Sequence, residues 1–210
     1  MNKKISALLL AGAMMLSLAA CGAKEETPAP APSPPAPEVS APATGEVAGL
    51  TAPIAEAPAL VTSGGQSADY QMIATVMGKV GMDYTVANLC TSADLGNAKT
   101  LIVVVGGSSK GLGAAGIDAD GELARLTELL DGAKAAGLTV IAMHTGGEAR
   151  RGELSDKFIT PIFEKADYAI VVTSGDEDGL MSGICASKGI PMDGIKSISE
   201  VATVLPAAFK

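Results

Sequence analysis

The chain has 210 residues, 48% of them hydrophobic and only 3% aromatic with no Trp, and carries a formal net charge of −8. That length supports one core and is short for two. The acidic balance and the scarcity of stacking rings exclude nucleic acid as a partner.

The chain begins MNKKISALLLAGAMMLSLAAC, Met1 to Cys21. Lys3 and Lys4 supply positive charge, and Ile5 to Leu18 form an apolar run of signal-peptide length, too short for a comfortable membrane span. The run closes on Leu18-Ala19-Ala20-Cys21. Charge, apolar length and small residues before a cysteine together resemble a bacterial lipoprotein signal. The resemblance implies cleavage before Cys21 and fatty acyl chains, palmitate among them, on its thiol and new amino group. Losing Lys3 and Lys4 takes the charge from −8 to −10. The expected partner is therefore the cell membrane, reached through lipid and not through a basic surface, on its extracytoplasmic face.

Ala23 to Pro58 is rich in Ala, Pro, Glu and Ser. Proline removes donors and favours extended chain, and small polar residues offer little to bury, so the stretch reads as a spacer. The expected organisation is a signal peptide over 1–20, the lipidated cysteine and tether over 21–57, and a globular domain over 58–210.

Within the domain, apolar strand runs alternate with helical periodicity. ALVTS, from Ala59, is the first strand; Met72, Ile73, Val76, Met77 and Val80 then recur at helical spacing, and Gly81 stops the helix. YTVANL is a weaker second strand. TLIVVV, Thr100 to Val105, is an unalternating run suited to a strand buried on both faces. Leu123, Leu126, Leu129, Leu130 and Ala133 mark the next helix, ending at Gly137. LTVIAM is strand four. A helix follows around Phe158 to Lys165, with Pro161 either kinking it or opening its final turns. YAIVVTS is strand five. Leu180, Ile184, Cys185 and Lys188 lie on a further helix, and ISEVATVLPAAF forms a closing helix capped by Ser197 or Ser199.

This alternation predicts an α/β three-layer sandwich, with a five-stranded, mainly parallel sheet of flavodoxin or Rossmann type in the order 2-1-3-4-5. Ligands of such sheets bind beyond the carboxyl ends of the strands, where the strand order reverses. Two loops meet there, TSGGQSAD (Thr62 to Asp69) and GGSSKGLGAAGID (Gly106 to Asp118), both rich in glycine and hydroxyls. Glycines admit a ligand to the backbone, and a helix start favours an anion. The expected ligand carries a carboxylate or phosphate. The expected binding residues are Ser63, Gly64, Gly65, Ser67, Gly107, Ser108 and Ser109, with Lys110, Arg150 and Arg151 for positive charge and His144 at the end of strand four. Against this stands the plain alternative of turns that use small residues for tight packing.

Three further resemblances attach to these loops. VVVGGSSKGLG looks like the nucleotide loop of short-chain dehydrogenases, with Gly107, Gly111 and Gly113 at its glycine spacing and Arg150 and Arg151 where a 2′-phosphate would be held. It departs from that family in lying at the third strand, in the AAGIDADGE break, and in having no Tyr-x-x-x-Lys after Tyr168. TSGGQS resembles the flavodoxin phosphate loop at Thr62, Gly65 and Ser67, but the facing loop has no aromatic residue to cover a flavin. No cofactor is expected on either count. TSGGQSAD, VVVGGSSKGLGAAGID, MHTGGEARRGELSD and VVTSGDEDG together resemble a family of exported bacterial lipoproteins classed only as a domain of unknown function. That resemblance implies location and domain extent, and no activity.

His144, the one histidine, is a candidate base or ligand; a lone histidine outside a catalytic motif is more often structural. Asp176, Glu177 and Asp178 lack EF-hand spacing and read as a solvated loop before a helix, with no metal expected. Cys90 and Cys185 fall at opposite edges of the expected sheet and read as two separate, buried thiols in spite of the oxidising compartment. Three functions remain in view: a small-anion binding protein, a hydrolase or transferase using the same crevice with a serine or His144, and an envelope interaction module.

Overall fold

The structure, a computed structural model, describes residues 47–210. The expected signal peptide, Cys21 and most of the expected tether lie outside the described residues. Six parallel strands form one sheet: β1 (Ala59–Gly64), β2 (Tyr84–Val86), β3 (Thr100–Val105), β4 (Thr139–His144), β5 (Tyr168–Val172) and β6 (Met192–Ile195). Their order is β2-β1-β3-β4-β5-β6. The expected order holds for five strands, and the sheet carries one strand more than expected. β6 pairs with β5 in parallel from Ala169↔Met192 to Val172↔Ile195.

Alternation of side chains along the strands builds two cores. Leu60, Leu101, Val103, Val105, Val140, Ala142, Ala169 and Val171 point to one face. There they meet α3 (Ala119–Ala135), α4 (Glu153–Phe163) and α5 (Leu180–Lys188) through Leu126, Leu129, Leu130, Phe158, Ile159, Ile162, Met181 and Cys185. Val61, Ile102, Val104, Ile141, Met143, Tyr168 and Ile170 point to the other. They pack on α1 (Asp69–Lys79) and α6 (Val201–Ala207) through Ile73, Met77, Val201 and Leu205. β3 is buried along its whole length, as its unalternating run requires. A fully buried leucine such as Leu129 stabilises the fold by roughly 1.5–3 kcal/mol relative to exposure.

α1 turns only part of its apolar stripe inward. Ile73 and Met77 are buried, whereas Met72 and Val80 are exposed. α4 begins earlier than its sequence pattern indicates, at Glu153, and Pro161 sits in its final turn. The closing helix is preceded by a 3-10 turn at Ile198–Glu200, and neither serine caps it: Ser197 and Ser199 bond each other at 2.6 Å.

Residues 47–58, assigned by sequence mainly to the tether, run along the amino edge of the sheet. The Met192 amide donates to the Ala48 carbonyl at 3.1 Å. Asp193 accepts from the Leu50 amide at 3.3 Å and from the Tyr168 hydroxyl at 2.5 Å. Thr139 donates to the Ile54 carbonyl at 3.3 Å and Thr100 to the Glu56 carbonyl at 2.8 Å. The strap thus touches β6, β5, β4 and β3 in turn before entering β1. Among the described residues no helix is long and apolar enough to cross a membrane.

Candidate functional site at the carboxyl edge

The two loops expected to form a crevice are laced together at their base, with a pocket of about 260 Å³ between Gln66 and Ser67 on one side and Gly111 and Ala114 on the other. The Gly106 amide donates to the Gly64 carbonyl at 2.9 Å, the Ser67 amide to Gly106 at 3.1 Å and the Ser108 amide to Gly65 at 2.9 Å. Gln66 and Gly107 face each other in an antiparallel bridge. Two further amides are also committed. The Gly65 amide bonds Glu122 Oε1 at 2.9 Å and the Gly107 amide bonds Ser155 Oγ at 2.9 Å.

Glu122 organises this lacing. It lies fully buried on α3 and is gripped by Arg125 through Nε to Oε2 and a terminal nitrogen to Oε1, both at 2.8 Å. Arg125 also donates to the carbonyls of Cys90 at 2.7 Å and Ser63 at 2.8 Å, so the pair joins the loops after β1 and β2 to α3. The Gln66 side-chain amide adds bonds to Glu122 at 3.1 and 3.2 Å and to the Asn88 carbonyl at 3.0 Å. These bonds hold Gln66 at φ 61°, a conformation a non-glycine residue adopts only under such constraint.

The residues expected to bind therefore divide. The Ser63 hydroxyl is buried and donates to the Ser67 carbonyl at 3.2 Å. Gly64 makes room for packing, since a Cβ there would stand 2.6 Å from Ile162 Cδ1; at Gly107 it would stand 2.8 Å from Leu154. Ser108 caps α2 (Ser109–Ala115), its hydroxyl accepting from the Gly111 amide at 3.0 Å. This helix starts at once, and the break noted in the sequence falls at its end, where Gly116 takes φ +69°. Ser109 and Lys110 are exposed at its start. Arg151 is spent on Asp156, Asp178 and the Gly175 carbonyl, at 2.7, 2.8 and 2.6 Å, and these bonds hold its guanidinium above its ordinary pKa. Asp176 accepts the amides of Met181 and Ser182 at the start of α5, the structural role expected for that acidic loop. Cys90 and Cys185 are free and buried, as expected.

What remains is a polar cluster one strand over, around the ends of β3 and β4. Asp69, Ser67, His144, Thr145 and Arg150 meet there. Arg150 Nε lies 3.2 Å from Asp69 Oδ2 without an aligned hydrogen bond, and the arginine side chain is 41% exposed while that of Asp69 is 7% exposed. His144 is fully buried. Its Nε2 approaches the Arg150 carbonyl at 3.4 Å, and burial, the largest influence, lowers its pKa and keeps the ring neutral. Among the described residues, the buried side-chain atoms lacking a hydrogen-bond partner are Asp69 Oδ2, His144 Nδ1 and Thr145 Oγ1, all at this one edge. Glycines make the cluster possible. A Cβ at Gly146 would lie 1.9 Å from Arg150 Cγ, and one at Gly175 would lie 2.8 Å from His144 Nδ1. Beside Arg150 is a cleft of about 260 Å³ lined also by Gly107, Ala149, Arg151, Gly152, Glu153, Leu154 and Ser155.

Sequence reading found Arg150 and His144 and missed Asp69 and Thr145. Asp69 stood inside the quoted loop, but an acid at a helix start reads as a dipole partner. Glu122 and Arg125 had the i,i+3 spacing of an ordinary surface pair.

Fold and site together define a doubly wound parallel α/β domain with a polar cluster at the carboxyl edge of its sheet. The chain belongs to the DUF6305 family, a domain of unknown function whose pattern matches residues 56–209. No curated protein matches the chain. Among solved structures, the psychrotrophic esterase EstA from Pseudoalteromonas sp. is similar at 13% identity and a TM-score of 0.30, over 65% of this chain and 76% of that one. TesA is similar at 14% identity and a TM-score of 0.29, over 64% and 77%.

Proposed function

We propose that this chain is a lipoprotein anchored through Cys21 at the extracytoplasmic face of the cell membrane, and that its α/β domain binds a small anionic ligand beside Arg150. The observation that carries the binding reading is the contrast between neighbouring arginines. Arg151 is saturated by two carboxylates and a carbonyl. Arg150 makes one unaligned ion pair, with the buried Asp69 Oδ2 that has no hydrogen bond, and lines a cleft with Arg151 and Glu153. Arg presents a planar fork that matches a carboxylate or phosphate, and buried polar groups left unpaired in a native fold call for a partner. Of the expected binding residues, Gly107, Arg150 and Arg151 line this cleft, His144 is buried behind the Arg150 carbonyl, Ser109 and Lys110 are exposed at the start of α2, and Ser63, Gly64, Gly65, Ser67 and Ser108 are engaged within the fold.

Thermal unfolding in the presence of a panel of small carboxylates, α-amino acids among them, and phosphates tests the binding. At least one member raises the melting temperature of the wild type and leaves Arg150→Ala unmoved. A panel that moves neither protein overturns the reading. Mass spectrometry of the mature N-terminus tests the anchor. An acylated Cys21 is expected, and a free Cys21 or cleavage elsewhere contradicts it.

A further inference from the structure

We propose that the Asp69–Arg150 pair recognises a zwitterion, such as a free α-amino acid, whose ammonium group bonds Asp69 Oδ2 and whose carboxylate bonds the terminal nitrogens of Arg150. This rests on the reading that a ligand binds at this edge and names its chemical class.

Charge balance is the first support. Asp69 is a buried carboxylate whose counter-ion is Arg150. Arg150 is partly exposed and lines the cleft, so a ligand that engages its guanidinium competes with Asp69 for it. An anion that drew Arg150 away would leave the Asp69 carboxylate buried and uncompensated, which is strongly destabilising. A ligand carrying both charges leaves neither partner alone. The net charge of −8 also disfavours the approach of a simple anion and is indifferent to a neutral zwitterion.

Unused bonding capacity is the second. Asp69 Oδ2 lacks a hydrogen bond although an arginine nitrogen stands 3.2 Å away. An ammonium group brings three rotatable donors. The His144 ring is kept neutral and so presents no charge to repel an ammonium. The cleft of about 260 Å³ beside Arg150 offers Leu154 and Ala149 to a short side chain, and Arg151 and Glu153 complete its charged lining.

The test titrates the full chain with the common α-amino acids and with analogues that lack one charge, such as propionate and lactate for alanine and ethylamine for its amine. Binding is read by calorimetry. At least one amino acid is expected to bind, with its single-charge analogues at least about tenfold weaker. Asp69→Asn is expected to erase that preference, so that amino acid and carboxylate bind alike, and Arg150→Met to abolish both; circular dichroism confirms that each variant folds. Carboxylates that bind the wild type as well as amino acids do would overturn the zwitterion proposal and leave anion binding standing. Absence of binding by either series overturns both. The wild-type comparison decides the matter even if a variant fails to fold.

Discussion

Arg125 holds Glu122 through two bonds of 2.8 Å, and both side chains lie inside the fold, the carboxylate fully buried. The same carboxylate takes the Gly65 amide at 2.9 Å, so one ion pair on α3 fixes the loop after β1. Breaking such a pair leaves a buried charge uncompensated. Glu122→Leu is expected to lower the unfolding free energy by about 3–5 kcal/mol in urea melts. The double variant Glu122→Leu with Arg125→Met is expected to recover part of that loss, because no charge is then stranded. Equal losses in single and double variants would show that the pair is not what secures the loop.

A second prediction concerns acid. The Arg151 hydrogen bonds push the Asp178 carboxyl down to about 2. A depressed carboxyl adds stability above its unfolded value, about 3.9, and loses it as pH falls toward the folded value. His144 works in a higher window. Its pKa is lowered by burial, so its protonation favours the unfolded chain, and stability drops as pH falls below about 6.5. Melting temperature from pH 8 to pH 2 should therefore fall in two stages. Arg151→Met should flatten the lower stage and His144→Gln the upper one. An upper stage unchanged in His144→Gln would mean that another group titrates there.

The cysteines give a third. Burial pushes the Cys185 thiol up to about 12 and raises Cys90 as well. Thiolate is the reactive form, so both should resist a thiol-specific reagent at pH 8 in the folded domain and react together on unfolding. Labelling followed by mass spectrometry checks this. Fast labelling of either residue without unfolding would contradict its placement. A two-dalton gain on reduction would contradict the separation of the two thiols.

Much of this fold was legible because burial on both faces leaves a strong trace: TLIVVV and YAIVV read as central strands and are β3 and β5. β6 left no such trace. Its sequence is Met192-Asp193-Gly194-Ile195, at the sheet edge, with only Ile195 buried. Asp193 serves the Leu50 amide and the Tyr168 hydroxyl there, a role that strand periodicity does not encode. The site was legible in part. Sheet topology points to the carboxyl edge, where Arg150 and His144 of the proposed site stand after β4 and at its end. The loops are ambiguous in sequence, because glycine serves close backbone pairing as readily as ligand approach. Only the bridge between Gln66 and Gly107 distinguishes the two uses. Long-range partners such as Glu122 for Gly65, 57 residues apart, have no local signature.

The strap makes a fourth prediction. Tyr168 is pushed above its ordinary pKa by burial and by Asp193. With its folded pKa raised, the tyrosine contributes stability below about pH 10 that is lost as pH rises further. Tyr168→Phe removes the hydroxyl's bond to Asp193 and is expected to cost about 1.5–3 kcal/mol, the range for bonds to charged groups. Faster proteolysis within residues 47–58 should accompany it. Unchanged stability and cleavage would mean that the strap is held without this bond.

A small-ligand site beside Arg150 would register in the amide chemical shifts of the labelled domain during titration with amino acids and small carboxylates. The expected result is saturable shifts concentrated at Asp69, Gly107, Thr145 and Ala149 to Ser155. Shifts centred instead on the groove formed by Val47, Cys185 and Ile190, or no saturable shift with any ligand, would contradict it.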